Sequence, residues 1–241
     1  VNGVLALETG AGNISRGADL RATGVVLSAS GDISQTGGSI AHRIAGTELP
    51  LTVTASGGSS TVSRTQSGNG PIALAASSAG GDFSLAGESI RLTGTLDAAA
   101  VALTATTGAI ALDADVRATE VNLAAVTGIS QGGGTLEHRD GSATALPVTA
   151  TVSGTGDIVL NQANGALQLR GGGTANGALS VTSARLIELA SGQTLSVAGA
   201  AALTVTTGAA GTAMVIDGAL YADSVSLTSA GSITQAGGGV L

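Results

Sequence analysis

The chain has 241 residues, a formal net charge of −7 at pH 7 and nine basic residues, all of them arginines, which disfavours a nucleic-acid surface because such a surface needs a basic stripe. No cysteine is present, which excludes disulfides, thiol chemistry and thiolate-ligated metal. With one Phe, one Tyr and no Trp, the core must consist of aliphatic side chains, which indicates a narrow, elongated interior.

Apolar-x-apolar triplets recur along the chain and predict its strands. Every second step between their starting points spans 18 to 20 residues in the central part of the chain. Because side chains alternate faces along a strand, the outer residues of a triplet point inward and the middle residue, usually small or polar, points outward. The triplets start at Ile72, Phe83, Ile90, Val101, Ile110, Val121 and Ile129, and then at Ile158, Leu167, Leu179, Ile187, Leu195, Leu203, Val215, Val225 and Ile233.

This pattern predicts an all-β fold, a parallel β-solenoid with coils of about 20 residues. Tandem immunoglobulin-like sandwiches are the alternative, but they need core aromatics and about seven strands per unit. The stretch from Leu189 to Ile216 carries no charge. Thr, Ser and Gly interrupt it, so it is predicted to form strands and no transmembrane segment is expected.

A longer repeat is superimposed on the coils. The phrase VVLSASGDISQTGGSIAHR begins at Val25, VNLAAVTGISQGGGTLEHR begins at Val121, and VSLTSAGSITQAGGGVL begins at Val225. Gln35 precedes Gln131 by 96 residues, and Gln131 precedes Gln235 by 104. We therefore expect one solenoid segment over residues 1–241, a slice of a longer array, with repeats at 1–97, 98–201 and a truncated 202–241.

Several phrases point to a known family. The G-D-I-S-Q-x-G-G pattern at 31–38, the R-A-T-x-V-x-L phrases at 21–27 and 117–123, and runs such as LTATTGAIAL resemble the repeat regions of filamentous-haemagglutinin-like exoproteins. These are large bacterial surface and secreted adhesins, exported by two-partner or autotransporter routes. The resemblance implies a right-handed solenoid shaft, found outside the cell or on its surface. It implies as partners the neighbouring repeats of the same polypeptide, and glycans or proteins of a host or bacterial surface.

The only two histidines occupy the same place in two repeats, in the pairs His42-Arg43 and His138-Arg139. They cannot share a metal ion, because 96 residues is about five coils, or roughly 24 Å. No metal, cofactor or catalytic residue is predicted. The favoured interpretation of each pair is a solvated turn inherited by duplication.

The alternative is that these turns contact a partner, since loops on a rigid scaffold often do so. The irregular segments 41–71 and 137–156 would then bulge from the shaft. The candidate contact residues in them are His42, Arg43, Arg64, His138 and Arg139.

A rival hypothesis is a carbohydrate-active β-helix enzyme of the polysaccharide lyase or hydrolase type. Asp113 and Asp115 form a close carboxylate pair on a potential strand, and Arg91 and Arg117 lie at the matching place one coil away. A carboxylate pair alone is weak support for acid/base chemistry. The sequence therefore favours a protein that is not an enzyme.

Three Gly-Asp steps place an aspartate directly before a predicted strand, at Asp32, Asp82 and Asp157. Calcium-binding rolls use such residues in tandem nonapeptides, but these steps are 50 and 75 residues apart. We therefore expect the aspartates to form turns by bonding their own backbone.

Overall fold

The computed structural model describes residues 2–65, 70–141, 143–198, 202–208 and 212–235. Within these ranges the chain forms strands, turns and bends, and no helix. The strands are parallel and stack in about 10 coils of about 21 residues, so the chain is a parallel β-solenoid. The predicted fold class is confirmed. The described residues include no helix with the length and apolar character needed to cross a membrane.

Most coils contain one long strand and two short ones. The first eight strands are β1 (Val4–Thr9), β2 (Ile14–Arg16), β3 (Leu20–Ala22), β4 (Gly24–Ala29), β5 (Ile33–Gln35), β6 (Ile40–His42), β7 (Leu49–Ala55) and β8 (Val62–Thr65). The next twelve are β9 (Ile72–Leu74), β10 (Ser77–Ala79), β11 (Phe83–Gly87), β12 (Ile90–Leu92), β13 (Leu96–Asp97), β14 (Ala100–Ala105), β15 (Ala109–Leu112), β16 (Val116–Ala118), β17 (Glu120–Ala125), β18 (Gly128–Gln131), β19 (Leu136–His138) and β20 (Leu146–Val152). The last ten are β21 (Ile158–Gln162), β22 (Leu167–Thr174), β23 (Leu179–Ser183), β24 (Ile187–Leu189), β25 (Thr194–Val197), β26 (Ala202–Thr207), β27 (Met214–Ile216), β28 (Ala219–Tyr221), β29 (Ser224–Ser229) and β30 (Ile233–Gln235).

Two large sheets, of 15 and 13 strands, form the walls of the solenoid. The long strand of each coil changes wall twice along the chain. It lies in the 15-stranded sheet at β1, β4 and β7, in the 13-stranded sheet at β11, β14, β17, β20 and β22, and in the 15-stranded sheet again at β23, β26 and β29.

Each change of wall occurs where one long strand faces two short strands of the next coil. The first half of β7 pairs with β9 and its second half pairs with β10. In the same way β22 pairs with β24 through Leu167–Leu169 and with β25 through Gly172–Thr174.

Because the long strand changes wall, equivalent strands of successive long repeats lie on opposite sides of the solenoid axis. The 96 residues from Gln35 to Gln131 amount to about four and a half coils of about 21 residues. Strand β17, the counterpart of β4, therefore lies in the opposite wall, and β29, the next counterpart, lies in the wall of β4 again. Equivalent residues of the first two repeats thus lie half a turn apart.

The core is a single column of stacked aliphatic side chains. In β14, Val101, Leu103 and Ala105 are at most 2% exposed, whereas Ala102 is half-buried and Thr104 is exposed. The only phenylalanine, Phe83, is fully buried in this column. This alternation confirms the predicted inward and outward positions.

Ala73 departs from that prediction, because it is the middle residue of a triplet and is only 9% exposed. Its neighbours in the ladder are Pro50 in the preceding coil and Arg91 in the following one. Arg91 forms a two-bonded ion pair with Glu48, at 2.6 and 3.0 Å, that passes over β9. An ion pair between residues 43 positions apart carries no local sequence signal.

The repeated I-S-Q-x-G-G signature forms a turn between two short strands. Gln131 Nε2 donates a hydrogen bond to the carbonyl oxygen of Gly134 at 3.1 Å, and Gln35 makes the same contact with Gly38. Gly134 and Gly38 have φ of 66° and 67°. A Cβ on Gly134 would lie 2.2 Å from the carbonyl carbon of Ala114 in the preceding coil. Only glycine fits this turn.

Aspartates join one coil to the next. Asp32 Oδ1 accepts hydrogen bonds from the backbone N–H and the hydroxyl of Thr61, at 2.7 and 3.1 Å. Asp157 accepts from the N–H of Ala178 at 2.7 Å. The expectation that these two aspartates bond their own backbone is wrong, because each carboxylate accepts a backbone N–H just before a strand of the next coil.

Asp19 shows the electrostatic consequence of such contacts. Its Oδ1 accepts from the N–H of Ser39 at 2.7 Å and from the Ser39 hydroxyl at 2.9 Å. The backbone hydrogen bond is the main reason that the pKa of Asp19 is lowered, because it stabilises the charged form. The same contact recurs between Asp115 and Thr135 in the second repeat.

Candidate partner-contact loops

Two equivalent turns leave the shaft after β6 and after β19. We call residues 43–48 the first loop and residues 139–145 the second loop; of the latter, residue 142 lies outside the described ranges. Both loops begin with the same inter-coil bond, from the N–H of Arg43 to the carbonyl oxygen of Ala22 at 2.9 Å and from the N–H of Arg139 to that of Ala118 at 3.0 Å.

The two histidines stabilise these turns from inside. His42 Nδ1 accepts the N–H of Ile44 at 3.1 Å, and His138 Nδ1 accepts the N–H of Asp140 at 3.1 Å. The carbonyl oxygen of Ile44 is farther from the same nitrogen, at 3.3 Å. We therefore assign Nδ1 of His42 as the acceptor and place its ring proton on Nε2.

The histidines themselves are not solvated. His42 is 9% exposed, and the side chain of His138 is 12% exposed. The expectation of a turn inherited by duplication fits this shared geometry, but the expectation that these two residues face solvent is wrong. Each ring lies under its own loop because Nδ1 takes a backbone donor of the turn.

The first loop presents its side chains to solvent. Residues 43–47 are all exposed, and Ile44 is 65% exposed. Arg43 makes no ion pair within the described ranges. The base of the loop is fixed by the ion pair of Glu48 with Arg91, whose hydrogen bonds raise the pKa of Arg91. This loop combines an exposed charge and an exposed apolar side chain on a rigid base.

The second loop is held against the shaft. Arg139 Nε donates to Asp97 Oδ1 at 2.8 Å, and its Nη1 donates to the carbonyl oxygen of Gly80 at 3.3 Å. Arg117 lies in the ladder between Asp97 and Glu137 and is within 4.0 Å of both carboxylates. Arg43 and Arg139, which are equivalent in the two repeats, thus have different roles, because Arg139 has the carboxylate of Asp97 beside it.

Arg64 lies in a strand and not in an exposed loop. It is part of β8, is 4% exposed, and donates from Nη2 to Gln35 Oε1 at 3.3 Å. Burial, with a smaller effect of the charge of Arg16, lowers the pKa of Arg64 to about 10. The prediction of Arg64 as a contact residue is wrong, because segment 41–71 includes the inward-facing strands β7 and β8. Segment 137–156 likewise includes β20.

The carboxylate pair of the enzyme hypothesis lies in the turn between β15 and β16. Asp115 Oδ1 is occupied by the N–H and hydroxyl of Thr135, at 2.7 and 3.1 Å. Arg91, the nearby base, is paired with Glu48. Among the described residues, no group of three or more His, Cys, Asp or Glu side chains is placed to hold a metal ion.

Ile44 and Glu48 are the loop residues that the sequence did not single out. Ile44 is an isolated isoleucine outside the triplet pattern, and that isolation is the signal for exposure.

In comparisons with known proteins, the chain matches no family model, no curated protein and no solved structure. What the molecule does is therefore inferred from the solenoid and its two loops.

Proposed function

We propose that this chain is a structural shaft segment of a large bacterial adhesin-like protein that is exported to the cell surface or secreted. The first loop is its adhesive contact. The observation that carries the proposal is a rigid array of parallel coils from which one loop projects an exposed Arg43 and Ile44.

The shaft role is supported by the way that the coils hold one another. All strand pairs of the two large sheets within the described ranges are parallel and join neighbouring coils, so stability resides in the interfaces between coils. About 10 coils at a spacing of ~4.8 Å give a rod of about 50 Å. Such a rod acts as a spacer and holds its loops at fixed positions along its axis.

The adhesive role is supported by the contrast between the two loops. Arg43 and Ile44 are exposed side by side, while the equivalent Arg139 is bonded to Asp97. An arginine beside an exposed apolar side chain suits a partner surface that carries carboxylates next to an apolar patch. The rigid base of the loop limits the entropy that binding would cost.

Adhesion can be tested with beads that carry the purified chain. We expect these beads to be retained on epithelial or bacterial cell layers, and we expect the double variant Arg43→Glu, Ile44→Ser to lose most of that retention. Arg139→Gln is the matched control, because that side chain lies against the shaft. If the double variant is retained as well as the wild type, the first loop is not an adhesive contact, and only the shaft role of the proposal remains.

Export is tested separately. Antibodies raised against the chain should label intact, unpermeabilised source cells, and external protease should remove the signal. Labelling that appears only after permeabilisation would contradict the proposal of a surface or secreted protein.

A further inference from the structure

A groove of about 420 Å³ lies on the 13-stranded sheet, where β20, β22 and β25 are neighbours. In the ladder, the buried Gly173 lies between the exposed Thr151 of the preceding coil and the exposed Ser196 of the following one. Gly173 therefore belongs to the floor of the groove, and Thr151 and Ser196 form its two sides. The backbones of the two sides are two coil spacings apart, roughly 10 Å at ~4.8 Å per coil. The volume falls in the range of small-ligand sites, about 300–1,000 Å³.

Glycine forms the floor because the backbones of neighbouring coils approach closely here. The register of β22 against β20 shifts between Val148 and Ala150, and Gly172 and Gly173 have φ of 119° and 142°. A Cβ on Gly172 would collide with the carbonyl oxygen of Ala150, and a Cβ on Gly173 would collide with that of Ser196. The packing of the coils thus requires residues without side chains, and the groove is a lasting feature of the shaft.

The described residues that line the groove carry no charge. Its sides offer the hydroxyl groups of Thr151 and Ser196, and each hydroxyl can both donate and accept a hydrogen bond. A charged ligand would meet no opposite charge on these residues and would give up part of its hydration without compensation. The groove therefore suits a neutral ligand that carries hydroxyl groups of its own.

An exposed tyrosine lies next to one side of the groove. Tyr221, the only tyrosine of the chain, is 54% exposed and is the ladder neighbour of Ser196 in the following coil. Leu220 is only 2% exposed, so alternation along β28 directs Tyr221 to the outer face. The equivalent position holds Arg21 in the first repeat and Arg117 in the second, because these residues precede Tyr221 at the same spacing as the repeated phrases. The third repeat thus places an aromatic ring, and not a charge, beside the uncharged groove.

We propose that this groove binds a neutral glycan, with one sugar ring on Tyr221 and the next ring in the groove. A pyranose ring has a face of C–H groups and a rim of hydroxyl groups. The C–H face packs on the aromatic ring of Tyr221, which combines a large apolar surface with a polar end. The hydroxyl rim exchanges hydrogen bonds with Ser196 and Thr151. This binding does not depend on the adhesive role of the first loop.

Lactose is the probe, and the intact chain is titrated with it by two-dimensional NMR. We expect saturable shifts at residues 151–153, 172–175, 196 and 221, with a Kd on the order of 1 mM. Protons on one face of a sugar ring should shift upfield, because they lie over the aromatic ring of Tyr221. Sorbitol has hydroxyl groups but no ring, so it should bind at least about 10-fold more weakly.

Variants then locate the site. Tyr221→Ala removes the aromatic surface and should weaken lactose binding at least about 10-fold, whereas Tyr221→Phe should keep the Kd within about 3-fold. Ser196→Leu removes a hydroxyl group and narrows the groove, so it should also weaken binding at least about 10-fold. Ser226→Leu, exposed on the 15-stranded sheet, is the matched control and should leave the Kd unchanged.

Two further measurements keep the result unambiguous. Melting curves show whether each variant folds, and the shifts in the wild-type chain locate the site whatever the variants do. The double variant Arg43→Glu, Ile44→Ser should bind lactose with the wild-type Kd. Failure of the adhesive loop and failure of the glycan groove are therefore separate outcomes.

Several results would overturn the proposal. Absence of shifts at high lactose concentration would mean that the groove is not a sugar site. Equal binding of sorbitol would indicate a general affinity for polyols, and an unchanged Kd in Tyr221→Ala would show that the aromatic ring takes no part. Tighter binding of galacturonate than of galactose would contradict the selection of neutral sugars.

Discussion

His42 and His138 lie half a turn apart about the solenoid axis, although each follows the same I-S-Q-x-G-G signature and each accepts the N–H of the residue two positions later. The long repeat contains about four and a half coils and not a whole number of them. Duplication therefore preserved the local structure of the turn but placed its second copy on the opposite side of the solenoid. The first and second loops cannot form one continuous surface on a single shaft.

Distance measurements between spin labels test this reversal. The chain has no native cysteine, so Ala45→Cys and Ala143→Cys can be labelled cleanly. Loops on opposite sides should be about 30 Å apart or more, because the width of the solenoid adds to an axial rise of about 22 Å. Ser28→Cys and Ser130→Cys, both outward in the 15-stranded sheet, are the control, at about 27 Å, because five coil spacings along the axis combine with an offset of about four residues along the strand. A loop distance near 22 Å would place both loops on one side.

The assignment of faces is tested on two adjacent residues of β14. Leu103→Asp should cost several kcal/mol, because it leaves an unpaired charge in the aliphatic column. Thr104→Asp is exposed and should change stability by less than about 0.5 kcal/mol. Urea unfolding measures both. Similar losses for the two variants would mean that β14 does not alternate between core and solvent.

The fold was predictable because its signals are local. Triplets such as Ile90-Arg91-Leu92 place inward and outward residues by period two alone, and their spacing sets the coil. The change of wall was not predictable, because it depends on β7 pairing with two strands of the next coil. The residue pattern of a single strand does not show which strands it will pair with.

The candidate site was predictable only in part. The pairs His42-Arg43 and His138-Arg139 marked both loops correctly, but burial of the rings follows from hydrogen bonds inside each turn. The burial of Arg64 did have a signal, since it is two residues after the inward Val62 on the same strand. The charge of Arg64 predicted a solvent-exposed side chain, but the alternation of side chains along β8 placed it on the inward face.

The glycine of the signature provides a third test. Gly134→Ala should destabilise the solenoid by at least about 2 kcal/mol, because the residue needs positive φ and its Cβ would collide with the preceding coil. Gly58→Ala is the control, since a Cβ there meets nothing within 4 Å. Thermal unfolding followed by circular dichroism compares the two variants. An unchanged melting temperature for Gly134→Ala would show that the turn adapts to a side chain.

Arg64 is a buried charge whose replacement should stabilise the protein. Its counterpart 96 residues later is the buried Leu160, so the fold accepts an aliphatic side chain at this place. Burial lowers the pKa of Arg64 to about 10. A shift of that size corresponds to about 3 kcal/mol of stability lost at neutral pH. Part of the gain in Arg64→Leu is offset by the lost bond to Gln35, so we expect a net increase of about 1–3 kcal/mol.

The dependence on pH separates this charge effect from a packing effect. The pKa of Arg64 is lower in the folded protein than in the unfolded chain. The destabilisation by the buried charge is therefore fully present below pH 10. It disappears as the pH rises above 10, because the folded protein then releases the proton before the unfolded chain does. The advantage of Arg64→Leu should therefore shrink above pH 10, and the exposed control Arg43→Leu should show no such trend. An advantage of Arg64→Leu that stays constant up to pH 12 would mean that packing alone causes it.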